Sequence, residues 1–450
     1  MNISFIRKYN VPGPRYTSYP TVPYWDNTCP SQYEWKSHIQ AACQKSKEIS
    51  LYIHLPFCES LCTYCGCNTR ITVNHKVEVP YLESMLQEWK LYRDLFDEPP
   101  VLKELHLGGG TPTFFSPENL RTLIEGITAD CVLADSYEFS FEGHPNNTTE
   151  AHLQTLYDLG FKRVSFGIQD FDLQVQKIIN RVQSYAKVKE VTDKARQIGY
   201  TSINFDLIYG LPLQTEDSVR ETIRLSNTLR PDRIAFYSYA HVPWIKPGQR
   251  RYTEADLPAG EAKRRLYELG KQMFEDNGYR EIGMDHFALD TDDLTLAMDE
   301  GRLHRNFMGY TTQSTGLMIG LGASSISDTW TAFGQNIKKV EDYKKAVQQG
   351  MFPLFRGHML NREDLTLRRH ILNLMCRFHT RWEPYEEELA GLREVKGRLR
   401  EMTGDGLVCT GKRYIAIPSQ GRPFVRNICM AFDARLWRKQ PKSQVFSSTV

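Results

Sequence analysis

The stretch that decides the fold is YIHLPFCESLCTYCGCNTR, residues 52–70, which holds four of the ten cysteines of the chain. These four, Cys58, Cys62, Cys65 and Cys67, directly follow a short β-type run, LYIHL (51–55). In a long chain such a cluster is typical of a metal or catalytic site rather than of a disulfide framework. The remaining six cysteines are scattered and form no second cluster.

The spacing of the first three cysteines leaves three interpretations open. They repeat at the interval of one helix face, so a buried helical stripe is one alternative. Seven residues of helix rise roughly 10 Å, which would hold the sulfurs too far apart for one small cluster, and the proline before them and the glycine among them favour a loop. Thiolates also suit zinc, but a closed zinc site takes four ligands, and Cys67 lies only two residues beyond Cys65. The pattern therefore favours an iron–sulfur cluster over zinc or a non-metal role.

Outward from this stretch, β-type runs alternate with helical segments. The runs are residues 51–55, 103–110, 137–143, 163–169, 202–210 and 233–241. Six alternations indicate parallel βαβ units, which form either an open doubly wound sheet or a partial barrel. After about residue 250 the alternation fades, and residues 360–440 are predicted to be helices followed by a small strand-like piece, GLVCTGKRYIAI.

Composition and charge exclude several classes of protein. The chain has 450 residues, of which 41% are hydrophobic, enough to bury a large core. The chain has 56 lysines and arginines and 54 aspartates and glutamates. The resulting net charge of only +2 argues against a nucleic acid partner. No stretch approaches the ~18 consecutive apolar residues of a membrane span. The N-terminus lacks the apolar core of a signal peptide, so we expect a cytoplasmic protein with no membrane partner.

The cysteine motif resembles the signature of the radical S-adenosylmethionine enzymes. The resemblance rests on CxxxCxxC at Cys58, Cys62 and Cys65, with the aromatic Tyr64 before the third cysteine. In that superfamily three cysteines bind a [4Fe–4S] cluster, and S-adenosylmethionine binds the open iron through its amino and carboxylate groups. The resemblance implies one such cluster per chain, held by these three cysteines.

Further motifs make the resemblance more specific, from residue 14 to residue 433. PRYTSYP, CGCN, HLGGGTPT, GIQDF, INFDLIYGLP, GMDHFA, HRNFMGYTTQ and RNICMAFD together resemble the oxygen-independent coproporphyrinogen III oxidases. The related haem-chaperone-like proteins usually lack the PRYTSYP arm and a cysteine at the position of Cys67. A haem-trafficking protein and a zinc-stabilised interaction protein remain the alternatives from other classes.

The resemblance implies an α/β fold: a partial (β/α)6 radical S-adenosylmethionine barrel with an N-terminal arm and a mostly helical C-terminal domain. We expect the arm at residues 1–50, the barrel and its extension at 51–335, and the C-terminal domain at 336–450. The implied reaction, in haem biosynthesis, is oxidative decarboxylation of two propionates of coproporphyrinogen III to vinyl groups, giving protoporphyrinogen IX without oxygen. It implies two S-adenosylmethionine molecules and an electron donor that the sequence does not identify, and we expect a monomer.

The resemblance also assigns residues to S-adenosylmethionine. Near the cluster they are Tyr52, Tyr64, Gly109, Gly110 and Thr111, and farther along the chain they are Glu142, Gln169, Arg181, Asp206, Ala240 and Ile326. A single charged residue at a strand end is usually only solvated, but together these form a polar ring suited to a zwitterionic nucleoside. The chain departs from its relatives at His144, where Asp or Asn is common.

Substrate contacts are expected among arginines, because the substrate carries four carboxylates and arginine binds a carboxylate through two hydrogen bonds. Arg302 and Arg305 flank a histidine on one short segment, and Arg426 and Arg15 are the next candidates. The alternative is that Arg302 and Arg305 are exposed and paired with nearby surface acids. Cys67 is either a packing thiol or a thiol that faces the substrate.

Overall fold

The structure is a computed structural model that describes residues 3–26, 29–441 and 446–449. Its strands are β1 (Glu48–Leu55), β2 (Phe57–Cys58), β3 (Arg70–Ile71), β4 (Val101–Gly109), β5 (Val132–Gly143), β6 (Phe161–Gln169), β7 (Ser202–Tyr209), β8 (Arg233–Ser238), β9 (Tyr279–Gly283), β10 (His286–Leu289), β11 (His304–Asn306), β12 (Gly309–Thr311), β13 (Leu317–Leu321), β14 (Ile326–Asp328), β15 (Ala332–Asn336), β16 (Leu354–Met359), β17 (His379–Arg381), β18 (Cys409–Thr410) and β19 (Tyr414–Ala416). All six predicted β-type runs coincide with strands, namely β1 and β4 to β8.

The helices are α1 (Ile3–Tyr9), α2 (Gln32–Lys45), α3 (Glu78–Arg93), α4 (Pro117–Thr128), α5 (Glu150–Asp158), α6 (Leu173–Ile178), α7 (Tyr185–Ile198), α8 (Glu216–Thr228), α9 (Gly260–Asp276), α10 (Asp293–Asp299), α11 (Val340–Gln348), α12 (Arg362–Arg377), α13 (Ala390–Arg393), α14 (Val395–Arg398), α15 (Arg400–Gly404), α16 (Val425–Phe432) and α17 (Ala434–Arg438). Within the described parts of the chain, none of these helices combines the length and the apolar character that crossing a membrane requires.

One twelve-stranded sheet organises the molecule, in the order β16-β15-β14-β13-β1-β4-β5-β6-β7-β8-β10-β9. The seven strands from β13 to β8 run parallel, and the strands at both edges are antiparallel. Because the carboxyl ends of parallel strands meet at one edge, loops after β1, β4, β5, β6 and β7 converge there. The sequence did not predict β13, which pairs with β1 on the side opposite β4.

The helices between the strands pack on the sheet through one apolar face. In α4, Leu120, Leu123, Ile124 and Ile127 are buried at the three- and four-residue spacing of a helix face. The helix begins at Ser116, whose side chain accepts a hydrogen bond from the Asn119 main-chain N–H. This pattern explains why the helical segments were recognisable from sequence.

A second core joins the N-terminal arm to the C-terminal helices. Tyr9, Tyr16 and Tyr19 of the arm are buried with residues of α12 and α16. Arg426 of α16 donates to the carbonyl oxygens of Pro14, at 2.9 Å, and Ser448, at 2.8 Å. Segments from opposite ends of the sequence therefore lie side by side.

The boundaries between arm, barrel and C-terminal domain stay a prediction. The sheet continues past residue 335, because β16 ends at Met359, and the long helix α12 begins at Arg362. The predicted strand-like piece in the C-terminal region forms β18 and β19, which pair antiparallel.

Candidate active site

A cavity of about 470 Å³ lies at the carboxyl ends of the parallel strands. It brings together all of the predicted cluster and cofactor residues except Tyr52, Ala240 and Ile326. Its lining includes Cys58, Cys62, Tyr64, Cys65, Gly109, Gly110, Thr111, Glu142, Gln169, Arg181 and Asp206. Residues that are far apart in sequence thus converge on one space.

The cysteine segment forms a loop rather than a helix. Cys58 lies on β2, which pairs in parallel with β3, and Cys62 and Cys65 follow in irregular structure. The barrel holds this loop at several points: the Thr63 N–H donates to the Ile179 carbonyl at 2.9 Å, and the Asn180 amide donates to the Leu61 carbonyl at 2.8 Å. The loop is therefore anchored to the segment that follows β6.

The environments of the three thiols differ. A hydrogen bond with the Cys67 side chain lowers the pKa of Cys65 to about 6, and the Cys67 main-chain N–H lies 3.4 Å from the same sulfur. Burial raises the pKa of Cys58 to about 11. Metal ligation requires deprotonated thiols, so positive charge near the buried sulfurs favours the binding of iron.

Arg181 supplies that charge. Its Nη1 lies 3.5 Å from the Cys62 sulfur, and its Nη2 donates to the Gly167 carbonyl at 2.6 Å. Its Nε is buried and has no hydrogen-bond partner among the described residues. Three thiols beside a buried guanidinium with a donor to spare fit an anionic cluster together with a carboxylate-bearing cofactor.

The glycine run lets the main chain approach the cavity. Gly109 has φ +113, and its N–H donates to the Glu142 carboxylate at 3.2 Å. A Cβ at Gly109 would lie 2.6 Å from the His54 ring, and one at Gly110 would lie 2.6 Å from the Pro56 carbonyl carbon. Glycine is therefore required at both positions.

Two carboxylates, Glu142 on β5 and Asp206 on β7, line the cavity from either side of β6 and differ in pKa. Burial raises the pKa of Asp206 to about 7, and the nearby charge of Glu142 adds to the rise. Ser165 and Asn204 donate to Asp206 at 3.0 and 2.9 Å. Burial also acts most strongly to raise the pKa of Glu142. The hydrogen bond and charge of His106, the Gly109 N–H and the charge of His54 together outweigh burial and leave that pKa below its usual value.

Three predicted cofactor residues lie outside the lining of this cavity. The Tyr52 hydroxyl lies 3.1 Å from His54 Nδ1, and its ring stacks on His106 with the ring centroids 6.0 Å apart. The Ala240 carbonyl accepts from Gln249, whose amide also donates to the Tyr64 carbonyl. Ile326 is half-buried on β14. Their contact with a cofactor stays a prediction.

Sequence reasoning missed Ser165 and Tyr237, which also line the cavity. Positions 165, 167 and 169 alternate along β6, and all three reach the same space. This period of two was the signal that could have found Ser165. His144 lines the cavity too, and burial lowers its pKa to about 3, with a further contribution from Arg181.

The two arginines predicted to bind substrate differ in their surroundings. Arg302 is 55% exposed and forms an ion pair with Glu300, as the surface alternative expected. Arg305 is 7% exposed, and its guanidinium lies 4.6 Å from the centre of the Tyr310 ring. The structure therefore does not bring Arg302 to the cavity.

Comparisons with known proteins give the class first. Residues 52–226 match the model of the Radical SAM superfamily. This range begins in β1, contains the three cysteines of the loop and ends in α8. The partial barrel and its cavity thus have the organisation of that superfamily.

The chain is also similar over almost its whole length to proteins of one family within this superfamily. The chain is 38% identical to the oxygen-independent coproporphyrinogen III oxidase of Pseudomonas aeruginosa, over 96% of this chain and 95% of that one. It is 37% identical to the enzyme of the same name from Escherichia coli, over 100% and 98%. A solved structure of the Escherichia coli coproporphyrinogen III oxidase, described as a radical SAM enzyme, superposes with a TM-score of 0.90 at 35% identity, covering 96% of this chain and 98% of that one. The chain belongs to the family of oxygen-independent coproporphyrinogen III oxidases.

Proposed function

We propose that this chain decarboxylates two propionates of coproporphyrinogen III to vinyl groups and so forms protoporphyrinogen IX without oxygen. One observation carries the proposal: three thiols, a buried guanidinium with an unused donor and a glycine-rich main chain converge on one cavity. Family membership over almost the whole chain supports the choice of substrate.

Cys58, Cys62 and Cys65 would hold a [4Fe–4S] cluster at the mouth of the barrel. When bound, the cluster would supply the electron that cleaves S-adenosylmethionine to a 5′-deoxyadenosyl radical, which would remove hydrogen from a propionate β-carbon. The propionate radical would then lose carbon dioxide and pass one electron to an acceptor, leaving the vinyl group. A radical is needed because no side-chain base can remove so weakly acidic a proton at neutral pH.

The chain's own residues position the cofactor. Arg181 would bind the cofactor carboxylate through its unused Nε donor, and Gly109 and Gly110 would let their main chain approach the methionyl group. Asp206 would accept from ribose hydroxyls or from the amine. Holding the cofactor and substrate in contact, away from water, is the protein's share of the catalysis.

We assign two S-adenosylmethionine molecules per chain, in line with the family resemblance. In support, polar groups that suit this cofactor extend across the cavity from Gly109 on β4 to Asp206 on β7. Anaerobic equilibrium binding to the cluster-loaded protein should give a stoichiometry of two, and a stoichiometry of one would refute this part.

Anaerobic turnover tests the function. Cluster-loaded protein is incubated with dithionite, S-adenosylmethionine and coproporphyrinogen III, and 5′-deoxyadenosine and the mono- and divinyl products are measured. We expect both vinyl products from the parent and none from Cys58→Ser. Deoxyadenosine without vinyl products would refute the proposed reaction, and tight haem binding without turnover would favour a haem carrier. Zinc in place of iron and sulfide would favour the zinc-stabilised protein.

A further inference from the structure

Four basic side chains lie together where the arm, the barrel and the C-terminal helices meet: Arg15, Lys263, Arg305 and Arg426. We call this group the cationic cluster. Asp285 forms an ion pair with Arg15. Within the described ranges, no carboxylate forms an ion pair with any of the other three members. Arg305 and Arg426 are buried, whereas Arg15 and Lys263 are half-buried. A buried charge without a counter-charge is costly, so the two buried arginines favour a bound anion.

The members of the cluster are close enough to repel one another. Burial lowers the pKa of Lys263 to about 8, with Arg15 and Arg426 adding to the effect. Burial likewise lowers the pKa of Arg426 to about 9, and Arg15 again contributes. The pKa of His286 is lowered to about 3 by burial first and then by Arg305 and Arg15. An anion placed here would relieve this repulsion.

Arg305 has unused hydrogen-bond donors. Its Nε and Nη1 are buried and have no partner among the described residues. Its Nη2 makes only a long contact, at 3.5 Å, with the Arg15 carbonyl. Buried polar groups are nearly always paired, and a guanidinium with free donors in a planar fork matches a carboxylate.

The cationic cluster borders the active site. The Arg15 guanidinium lies 5.8 Å from the centre of the Tyr237 ring, which lines the central cavity. A smaller cavity of about 100 Å³ adjoins the central one and is lined by His286 and Tyr310, which contact or face Arg305. Another, of about 40 Å³ at the carboxyl ends of β7 and β8, is lined by Arg15 and Arg426 and also by the carboxylates of Glu281 and Asp285. Spaces of this size suit a carboxylate rather than a ring system.

We propose that the cationic cluster binds a propionate carboxylate of the substrate, with Arg15 and Arg305 as its direct contacts. Arg426 has a different part, because its donors are used by the carbonyls of the arm and of residues 447–448. It positions the arm and therefore Arg15. This inference rests on the proposed function in taking a tetrapyrrole with four carboxylates as the substrate. A net charge of +2 attracts an anionic substrate only weakly, so cations close to the binding site must attract its carboxylates.

The test measures anaerobic binding of coproporphyrin III, the stable oxidised porphyrin, and of its uncharged tetramethyl ester. We expect Arg15→Gln and Arg305→Gln each to weaken coproporphyrin III binding about 10-fold or more, the scale of a lost charged hydrogen bond. Ester binding should change little. Arg302→Gln is the matched control, since Arg302 lies three residues from Arg305 but is exposed, and it should bind like the parent.

Asp285→Asn should change the affinity for coproporphyrin III in the opposite direction. It removes the carboxylate that forms an ion pair with Arg15, so we expect coproporphyrin III to bind several-fold more tightly. If the Arg15–Asp285 pair had only a structural role, Arg15→Gln and Asp285→Asn would both weaken coproporphyrin III binding. That result would overturn the proposal. Iron and sulfide analysis before the porphyrin is added checks that each variant carries the cluster.

A second substitution covers the case in which Arg305→Gln does not fold. Arg305→Lys keeps the charge but loses the planar fork. Its affinity for coproporphyrin III should therefore be lower than that of the parent and of Arg302→Gln, but higher than that of Arg15→Gln. Parent-like coproporphyrin III binding by both Arg15→Gln and the Arg305 variant would overturn the inference while vinyl products continue to support the proposed function. Conversely, a parent that prefers coproporphyrin III to its ester but forms no vinyl product would refute the function and leave the carboxylate site standing.

Discussion

Two carboxylates in this molecule have pKa values raised to about the same value, but their surroundings differ. Burial raises the pKa of Glu88, on α3, to about 7, and it does the same for Asp206, on β7. Glu88 is enclosed: it accepts from the Gly322 N–H at 2.8 Å, from the Asn336 amide at 2.6 Å and from the Tyr343 hydroxyl at 2.6 Å. Asp206 lines the central cavity. A shifted pKa therefore marks burial, and only access to a cavity distinguishes the functional group.

The Glu88 region holds structural elements together. Its three partners lie on different segments, the loop after β13, strand β15 and helix α11, so one carboxylate joins α3 to all three. The Asp206 region instead leaves polar groups available to a bound molecule.

The thiols of the cavity should show the largest effect. Serine at Cys58, Cys62 or Cys65 should remove most of the absorbance near ~400 nm of a thiolate-bound iron–sulfur cluster, and vinyl product formation should stop. Cys67→Ser is the control and should keep the cluster, as measured by iron, sulfide and absorbance. Loss of iron from the Cys67 variant would mean that the ligand set is wrong.

The enclosed carboxylate should affect stability. Glu88→Ala should lower the free energy of unfolding by about 3 kcal/mol, because it leaves several buried donors without an acceptor. Denaturant titration measures this. Glu83→Ala, at an exposed position of the same helix, should change stability little. Affinity for S-adenosylmethionine per folded molecule should be unchanged, and a large loss of affinity would show that the two regions are not separate.

The cavity carboxylate should affect binding. Asp206→Ala should weaken S-adenosylmethionine binding by ~1–3 kcal/mol, the scale of a charged hydrogen bond, with the cluster still assembled. Arg181→Ala should have an effect of similar size. Asp158→Ala, at a half-exposed carboxylate remote from the cavity, is the control. Unchanged affinity in both cavity variants would remove Asp206 and Arg181 from the site.

The smallest effect is a difference in pH dependence. The folded protein holds a proton on Glu88 up to about pH 7, whereas the usual pKa is 4.5. Between these values the folded state binds more protons, so the free energy of unfolding falls as pH rises, by at most ~1.4 kcal/mol per pH unit from this group. Glu88→Gln cannot titrate and should remove that part of the slope. A slope equal to that of the parent would contradict the raised pKa.

Asp206 should instead show its raised pKa in the pH dependence of cofactor binding. A cationic cofactor favours the ionised carboxylate, so the parent's affinity for S-adenosylmethionine should rise as pH increases through about 7. In Asp206→Asn this rise should be absent, whereas Glu88→Gln should retain it. If the affinity for S-adenosylmethionine depended on pH in the same way in Asp206→Asn and Glu88→Gln, Asp206 would have no special role in cofactor binding.

The sequence predicted the parts of the fold whose signals are local. Alternating strands and amphipathic helices located β1 and β4 to β8, and the cysteine spacing located the loop. Strand β13 was missed because its five residues are all buried, so it shows no alternation, and its pairing with β1 joins residues far apart in the chain. Long-range pairing of this kind leaves no local pattern.

The site was predictable where a motif supplied the residues and less so elsewhere. Arg302 and Arg305 look equivalent in sequence, yet one is exposed and paired with Glu300 and the other is buried on Tyr310. Their difference arises from tertiary packing, which composition and spacing do not contain. Glu88 was missed for the same reason, since a glutamate in a helix usually faces solvent.

The contact of Arg426 with both ends of the chain has a consequence for biosynthesis. Arg426 donates to the Pro14 carbonyl, 412 positions earlier in the chain, and to the Ser448 carbonyl. Domains begin to fold during translation from the N-terminal side, but these contacts cannot form until Arg426 and Ser448 have left the ribosome. Arg15 thus reaches its place beside the cavity only after Arg426 has been synthesised. A nascent chain could assemble its strands and cysteine loop while the part of the site that we propose for propionate is still missing.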